Sequence, residues 1–427
     1  MKFFKIQKSL KLLTDLKFAI FILALIALSS SLGSFIEQDE SVSFYQENYA
    51  KKIYGIIDSN LILNLGLDHV YTTWWFLSLL GLLATSLISC TITRQFPILE
   101  NSKDYFFKKK TVSFLSLPFS VKLKTLFYLP EIILLKLQDL QFCLYQNGKI
   151  IYGYKGLIGR ISPILVHLSL IIILSGSALG ALKNFKAQEI LPKGELFHIQ
   201  NTIGIGSMTS LPTITTRVND FWVEYENNRI HQFYSNLSLL DEYGKEIKNQ
   251  TISVNNPLRY QNVDFYQSDW NLLGIRIQDL EKNQILEFPV FSLNQKGKSW
   301  ITWINKSNQI ILFDKLENTF SVYDQFGNLE GIRSLGDFLT KTNILIDLIP
   351  TTGLLIKFYP TIVIIYFGFG LLMLTACLSY LPYTQIWLFT KDSYSWIGST
   401  TNRGKIQVEV EFENLVRYAE NILSKFT

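Results

Sequence analysis

The 427-residue chain has few of the residues that usually carry redox, metal or hydrolytic chemistry. Its three cysteines, Cys90, Cys143 and Cys377, form no Cys-x-x-Cys or Cys-x-x-Cys-His motif, which argues against a dithiol carrier or covalently attached haem. Zinc-type Cys/His clusters and the Gly-x-Ser-x-Gly and His-Glu-x-x-His signatures are also missing. Charged residues make up only 18% of the chain, and the net charge of +5 gives no reason to expect nucleic-acid binding.

Long apolar runs are abundant instead. Four stretches approach or exceed the roughly 20 residues needed to cross about 30 Å of hydrocarbon, namely 18–35, 72–93, 160–181 and 359–381. The second opens with Trp74 and Trp75, which are typical interfacial anchors. The sequence therefore predicts an integral membrane protein with four transmembrane helices. Residues 1–17 are basic, and no clean cleavage site follows the first run, so we expect a retained signal anchor.

The distribution of Lys and Arg predicts the orientation of these helices. Basic residues are frequent in the N-terminal segment 1–17, the loop 94–159 and the C-terminal tail 382–427, whereas the loop 36–71 has only Lys51 and Lys52. By the positive-inside rule, the three basic segments face the cytoplasm or stroma. The loop 36–71 and the long insert 182–358 then face the opposite, periplasm-like or lumenal side.

The insert 182–358 shows strand-like alternation of apolar and polar residues, for example in 218–225 and 229–240. It predicts a large, mostly antiparallel β domain between the third and fourth helices. The loop 94–159 also predicts a small β element, with Asn147-Gly148 as a type I′ turn and Lys108 to Lys110 near anionic lipid headgroups. Glycines around the third span indicate close helix packing rather than a phosphate site.

Four histidines are present: His69, His167, His198 and His231. His167 lies inside the apolar run 160–181, about 9 Å from its Arg160 end. A histidine within a membrane is costly to bury and indicates function by default, although a hydrogen bond to a neighbouring helix is the alternative. Neutral imidazole can ligate haem iron, and Asp68 could orient His69 for that role. Cys90 reads as a buried apolar thiol, with a redox or haem role as the alternative.

Depth separates the two candidate ligands, His69 and His167. The predicted topology places them about 20 Å apart in depth, whereas two axial ligands of one iron are about 4 Å apart. A self-contained b-type cytochrome is therefore disfavoured, and a solute transporter would need inverted repeats that are not apparent. The histidines could serve successive haem positions or pair with ligands from a partner chain. A scaffold that binds no haem also remains open.

Five stretches, taken in order, resemble the ResB/CcsB family. They are LGLDHVYTTWWFLSLLGLLATSLISCT (65–91), GRISPILVHLSLIIILSGSALGA (159–181), NNPLRYQNVDFYQSDWN (255–271), the run 351–387 and NRGKIQVEVEFE (402–413). Plastid members of this family are the large membrane component of the machinery that attaches haem to c-type cytochromes. The resemblance covers nearly the whole chain.

This resemblance implies a fold, a location and partners. It implies four membrane helices in the thylakoid membrane, with stromal termini and a lumenal β-rich domain. It implies a complex with the membrane protein CcsA, with haem held transiently and shared, and with apocytochromes (cytochrome f and soluble c-type) as substrates. The family histidine of the third helix matches His167, the cysteine ending the second helix matches Cys90, and the histidine of the LGxDH stretch matches His69. The expected role is a subunit of a haem lyase without a catalytic site of its own.

Overall fold

The computed structural model describes residues 11–49, 58–103, 107–108, 110–124, 129–227, 229–293, 299–304, 308–339, 342–391 and 393–426. The chain divides into two compact units. The first, here called the helical unit, comprises Met1–Gln38, Leu65–Ala178 and Thr361–Thr427. The second, the β unit, comprises Asp39–Asn64 and Leu179–Pro360. Elements are numbered along the whole chain.

Apolar helices dominate the helical unit. Its helical segments are α1 (Leu16–Phe35), a 3₁₀ segment (Leu67–Thr72), α4 (Trp74–Cys90), a π-helical turn (Thr91–Gln95), α5 (Phe96–Lys103), α6 (Val112–Leu115), α7 (Leu129–Asp139), α8 (Ile158–Lys183), α9 (Ile362–Leu378) and α10 (Lys405–Phe426). Among the described residues, three segments are long and apolar enough to cross a membrane: Leu16–Phe35, Trp74–Glu100 and Ile158–Lys183. These segments support membrane association, whereas α9, with 17 residues, is shorter.

Glycines allow two of these helices to pack closely. A Cβ added to Gly368 of α9 would lie 2.6 Å from Ile173 Cγ1 of α8, and one added to Gly176 of α8 would lie 2.9 Å from Ile365 Cγ1 of α9. Small residues at such crossings let backbones approach where water supplies no driving force. The interpretation of the glycines around the third span as packing positions is confirmed at Gly176.

The helical unit also carries an antiparallel sheet, here called the small sheet. Its strands are β1 (Phe119–Lys124), β2 (Cys143–Asn147), β3 (Ile150–Lys155), β19 (Thr384–Lys391) and β20 (Tyr394–Thr401), in the order β1-β20-β19-β3-β2. One face packs against α7 and α10 through Ile133, Ile386 and Phe412. The other face is aromatic and centres on Tyr152 and Trp387. Residues 382–427, which the sequence analysis treats as a tail, thus contribute two strands and a helix.

The turn between β2 and β3 differs from the predicted Asn147-Gly148 type I′ turn. Asn147 pairs with Ile150, so the two turn residues are Gly148 and Lys149 rather than Asn147 and Gly148. Gly148 has φ +59°, whereas Asn147 and Lys149 do not have positive φ. A glycine with positive φ at the first turn position matches a type II′ turn, not type I′.

The β unit consists of antiparallel sheets, as the alternating pattern predicts. It begins with the short helices α2 (Val42–Asn48) and α3 (Ser59–Leu65). Its strands are β4 (Phe185–Pro192), β5 (Leu196–His198), β6 (Thr202–Ile205), β7 (Thr215–Glu226), β8 (Arg229–Leu240), β9 (Glu246–Ile252), β10 (Leu258–Tyr260), β11 (Val263–Asp279), β12 (Gln284–Pro289), β13 (Phe291–Ser292), β14 (Trp300–Ile304), β15 (Gln309–Phe313), β16 (Thr319–Tyr323), β17 (Leu329–Ser334) and β18 (Asn343–Phe358).

The long strands β11 and β18 form the spine of this unit, in a sheet ordered β10-β11-β18-β4-β6. A second sheet, β5-β7-β8-β9, shares one apolar core with the first. This core contains Phe265 of β11 and Leu237 of β8. A third sheet, β13 to β17, contributes to another core, in which Trp270 and Trp300 are buried. The large antiparallel β domain is therefore confirmed, and it has the layered character of a sandwich.

Candidate functional site

His167 lies within α8 and is half-buried. Both of its ring nitrogens contact side chains from the segment that follows α4. The Thr91 hydroxyl oxygen lies 2.9 Å from Nδ1, and the Gln95 amide nitrogen lies 3.2 Å from Nε2. The imidazole is therefore held between two polar groups in an otherwise apolar stretch.

The hydrogen bonds around Thr91 favour the Nδ1–H tautomer of His167. The Thr91 hydroxyl donates to the Leu87 carbonyl oxygen at 2.8 Å, because a carbonyl can only accept. The Thr91 oxygen must then accept the Nδ1 proton of His167 for both contacts to be hydrogen bonds. Nε2 is left unprotonated, and its lone pair accepts a proton from the Gln95 amide. An imidazole whose Nδ1–H is held by an oxygen presents Nε2 as a metal ligand.

A π-helical turn places Thr91 and Gln95 opposite His167. Leu87, Thr91 and Gln95 are four residues apart and therefore share one side of the helix. The turn precedes Pro97, which has no N–H to donate to the Thr93 carbonyl and whose ring crowds that carbonyl. The helix therefore widens at this point, and the Phe96 N–H bonds to the Thr91 carbonyl, five residues earlier. Single π turns inside α-helices are rare and are frequent at functional sites.

Cys90 immediately precedes this turn but does not belong to the His167 cluster. It is half-buried and is not in a disulfide. Consecutive helical residues are about 100° apart around the axis, so the Cys90 side chain projects about 100° away from that of Thr91. In the described part of the chain, no hydrogen bond links Cys90 to His167.

His69 occupies the opposite end of α4, within the 3₁₀ segment. Its Nδ1 lies 2.9 Å from Asp68 Oδ2, and its side chain is 47% exposed. Adjacent side chains often point apart, but His69 has a non-helical backbone (φ −144°, ψ 48°) inside this segment. The other Asp68 oxygen, Oδ1, is buried without a hydrogen-bond partner. His69 therefore also has a carboxylate-held Nδ1 and an available Nε2.

The two histidines are too far apart to share one iron. Residues 74 to 91 separate them along α4, which amounts to about 25 Å at the rise of an α-helix. Within the described residues, no group of three or more His, Cys, Asp or Glu side chains could hold a metal ion. A metal at His167 therefore needs a further ligand that this cluster does not provide.

Arg160 lies two turns before His167 on α8, on the same side of the helix. Its guanidinium carbon is 4.9 Å above the ring of Tyr383, and its Nε is buried without a hydrogen-bond partner. The Tyr383 hydroxyl donates to the Ser102 carbonyl at 2.9 Å, and burial raises the pKa of Tyr383. This arrangement puts a positive charge near one end of the span.

The remaining histidines lie in the β unit, in ordinary surface settings. His198 is exposed, with Nδ1 3.3 Å from the Thr215 hydroxyl, and His231 pairs with Glu226 at 3.2 Å. Trp74 is 80% exposed, as suits a lipid anchor, while the Trp75 indole N–H bonds to the Leu65 carbonyl at 3.0 Å.

Comparison with known proteins matches this chain over most of its length. A profile described as the ResB-like family matches residues 16–314. The chain belongs to the ResB-like family. It is 43% identical over 422 residues to the cytochrome c biogenesis protein Ccs1 of Thalassiosira pseudonana, covering 96% of this chain and 100% of that protein.

Two further relatives extend the range of organisms. The ResB-like chain is 40% identical over 433 residues to the cytochrome c biogenesis protein CcsB of Crocosphaera subtropica, with 97% and 95% of the two chains covered. It is 38% identical over 427 residues to Ccs1 of Pyropia yezoensis, with 97% and 96% covered. The resemblance inferred from the sequence is therefore confirmed at the level of the family.

Thr91 and Gln95 are not among the site residues that the sequence of this ResB-like chain predicts. In the sequence they are polar residues that mark the end of an apolar run, where Cys90 is the predicted candidate. Their spacing of four, shared with Leu87, is the signal that could have identified them, because it places all three on the side of one helix.

Proposed function

We propose that this chain acts in c-type cytochrome biogenesis, where it holds haem through His167 for attachment to apocytochromes. The observation that carries this proposal is the pair of contacts at Thr91, whose hydroxyl donates to the Leu87 carbonyl and lies 2.9 Å from His167 Nδ1, an arrangement that favours a free lone pair on Nε2. The names of the relatives support the same process.

The residues fit one axial bond to haem iron. Neutral imidazole with a fixed Nδ1–H is a good donor for iron. His69 is about 25 Å away along α4 and cannot supply the second axial bond. We therefore propose that the other ligand comes from a CcsA-like membrane partner, and that haem is shared by the two chains as cargo.

The proposed contribution of this chain is positioning. Each thioether forms when a cysteine S–H of the apocytochrome CxxCH motif adds across a haem vinyl group, with the sulfur bonding one carbon and the hydrogen reaching the other. Holding reduced haem close to two free thiols raises their effective concentration without a protein nucleophile. The chain is then one subunit of a haem lyase rather than a complete enzyme.

The location and the haem route follow from the charge distribution. We propose that the small sheet lies on the stromal side of a thylakoid membrane and the β unit in the lumen, as the positive-inside rule predicts from the basic segments. His167 is then near the stromal side, and His69 is at the lumenal mouth of α4. Haem would enter near His167 and leave near His69, whose Nδ1 is held by Asp68.

A fourth span over 359–381 belongs to this proposal. Helix α9 has 17 residues, or about 25 Å, which is at the lower limit for crossing the hydrocarbon core. Its glycine-mediated packing against α8 supports its presence beside that span.

A second candidate function is a scaffold that assembles the partner with apocytochrome and binds no haem. Both His167 nitrogens already have hydrogen-bond partners, which is what a purely structural histidine would show.

Haem content separates the two functions. The chain is purified with its CcsA-like partner, and haem is measured by absorbance in wild type, in His167→Ala and in His198→Ala, a matched exposed histidine of the β unit. We expect His167→Ala to lose haem and to fail to accumulate holocytochromes, while His198→Ala retains both. Unchanged haem in His167→Ala would favour the scaffold.

A further inference from the structure

Gln95 occupies the position from which a ligand must approach His167 Nε2. The Gln95 amide nitrogen lies 3.2 Å from that atom. We propose that Gln95 is a displaceable cap on the Nε2 lone pair and that Thr91 is the positioning residue that keeps this lone pair available. This inference rests on the proposed haem role of His167 and adds the means by which the chain opens and closes that ligand.

The positions of the protons on the His167 ring define what the cap does. With Nδ1–H donated to Thr91, Nε2 has a lone pair and no proton. A lone pair can accept from the Gln95 amide or bond to iron, but it cannot do both at once. Haem binding therefore exchanges the Gln95 hydrogen bond for a coordinate bond, with no proton gained or lost by the imidazole.

In the capped state, one buried polar atom has no hydrogen-bond partner, and this favours release of the Gln95 side chain from Nε2. The carbonyl oxygen of the same amide, Gln95 Oε1, is buried without a hydrogen-bond partner. A buried polar atom without a partner costs free energy, so the capping hydrogen bond is made at the expense of this acceptor. Moving the side chain away frees Nε2 and lets Oε1 reach water or the headgroup region.

The local helix geometry allows this movement without rebuilding α4. Gln95 is the last residue of the π turn, and its side chain has rotatable bonds that can carry the amide away from the ring. Thr91, by contrast, is buried and bonded to both Leu87 and His167. The structure therefore pairs a fixed group on Nδ1 with a movable group on Nε2.

Four variants test the two roles in the full chain purified with its partner. Gln95→Leu removes the cap at similar volume, and Thr91→Val removes the hydroxyl, while Thr91→Ser restores it. Thr93→Val is the matched control, because the Thr93 hydroxyl lies in the same turn but bonds to the Ser89 carbonyl at 2.7 Å.

Haem titration followed by absorbance gives the first readout. We expect Gln95→Leu to bind haem about threefold to tenfold more tightly than wild type, the factor for removing one competing hydrogen bond. Thr91→Val should bind at least threefold more weakly, Thr91→Ser should recover wild-type binding, and Thr93→Val should not differ from wild type. Unchanged or weaker binding by Gln95→Leu would overturn the cap.

Nitrogen-15 NMR of histidine-labelled protein without haem gives the second readout. The His167 signals, assigned by their loss in His167→Ala, should show Nδ1–H in wild type and Thr91→Ser but a shift toward Nε2–H in Thr91→Val. An Nε2–H tautomer in wild type would overturn the inference even if His167 ligates haem. If His167→Ala binds haem as wild type does, the proposed function fails, and the inference falls with it.

Discussion

Gly368 of α9 approaches Ile173 of α8 so closely that a Cβ added to the glycine would lie 2.6 Å from the isoleucine Cγ1. Gly370 is two residues away on the same helix, and a Cβ there would meet nothing within 4 Å. The two glycines therefore form a matched pair, one at a helix crossing and one in open space.

Gly368→Ala should loosen the α8–α9 crossing. The added methyl group must displace Ile173, and overpacking of this kind costs about 1–3 kcal/mol. Gly370→Ala should be neutral or slightly stabilising, because alanine is the better helix former. Thermal unfolding of the detergent-solubilised protein measures both. Equal effects of the two substitutions would contradict close packing at Gly368.

Asp68→Ala should impair the lumenal end of the proposed haem route while leaving haem at His167. The change removes the carboxylate 2.9 Å from His69 Nδ1, so the ring loses its orientation. Holocytochrome yield should fall several-fold with unchanged haem in the purified complex. Glu226→Ala is the control, because it breaks a similar contact to His231 in the β unit. Loss of haem from the purified complex of Asp68→Ala would contradict this prediction, because haem at His167 would then depend on the His69 end of α4.

Gly156→Ala should disrupt the connection between β3 and α8. Gly156 has φ +80°, and a Cβ there would lie 2.0 Å from the Pro382 carbonyl oxygen. Gly148 also has a positive φ, +59°, but a Cβ added there would have no neighbour within 4 Å. The Gly148→Ala variant therefore measures the backbone strain alone. We expect about 1 kcal/mol from Gly148→Ala and a clearly larger loss from Gly156→Ala, measured by thermal unfolding. Equal losses would mean that the approach of Pro382 is unimportant.

Asp324 should make the turn between β16 and β17 sensitive to acid. Hydrogen bonds from the Asn328 side chain and backbone hold the pKa of Asp324 below its usual value. A lowered pKa in the folded state means that this stabilisation is complete above the pKa of the unfolded chain, and is lost as pH falls through the folded value. Asp324→Asn should therefore lower the melting temperature near neutral pH, with the difference disappearing in strong acid. A difference that is the same at both pH values would contradict this.

How much of this fold could be predicted depended on whether the determining contacts are local. Strand β8 (Arg229–Leu240) coincides with the alternating run 229–240, because alternation alone sets which face is buried. The strands in 384–401 escaped prediction, since β19 pairs with β3, more than 200 residues earlier, and aromatic residues cover one face.

The candidate site shows the same limit. His167 stood out because an imidazole in an apolar run is unusual in itself. The Asp68–His69 contact could be suggested but not established, since it depends on the non-helical backbone of His69. Thr91 and Gln95 are defined by their orientation toward another helix, which a single sequence does not contain.

The pairing of β3 with β19 also bears on how the protein is made. Strand β3 ends at Lys155 and its neighbour begins at Thr384, so the ribosome must produce both the membrane helices and the β unit before this sheet can close. Contacts separated by so much chain form late. Until then, one edge of β3 is an unpaired template for other strands. A premature stop codon before residue 384 would therefore leave a chain that can insert into the membrane but exposes the unpaired edge of β3. Such a chain would be a target for quality-control proteases.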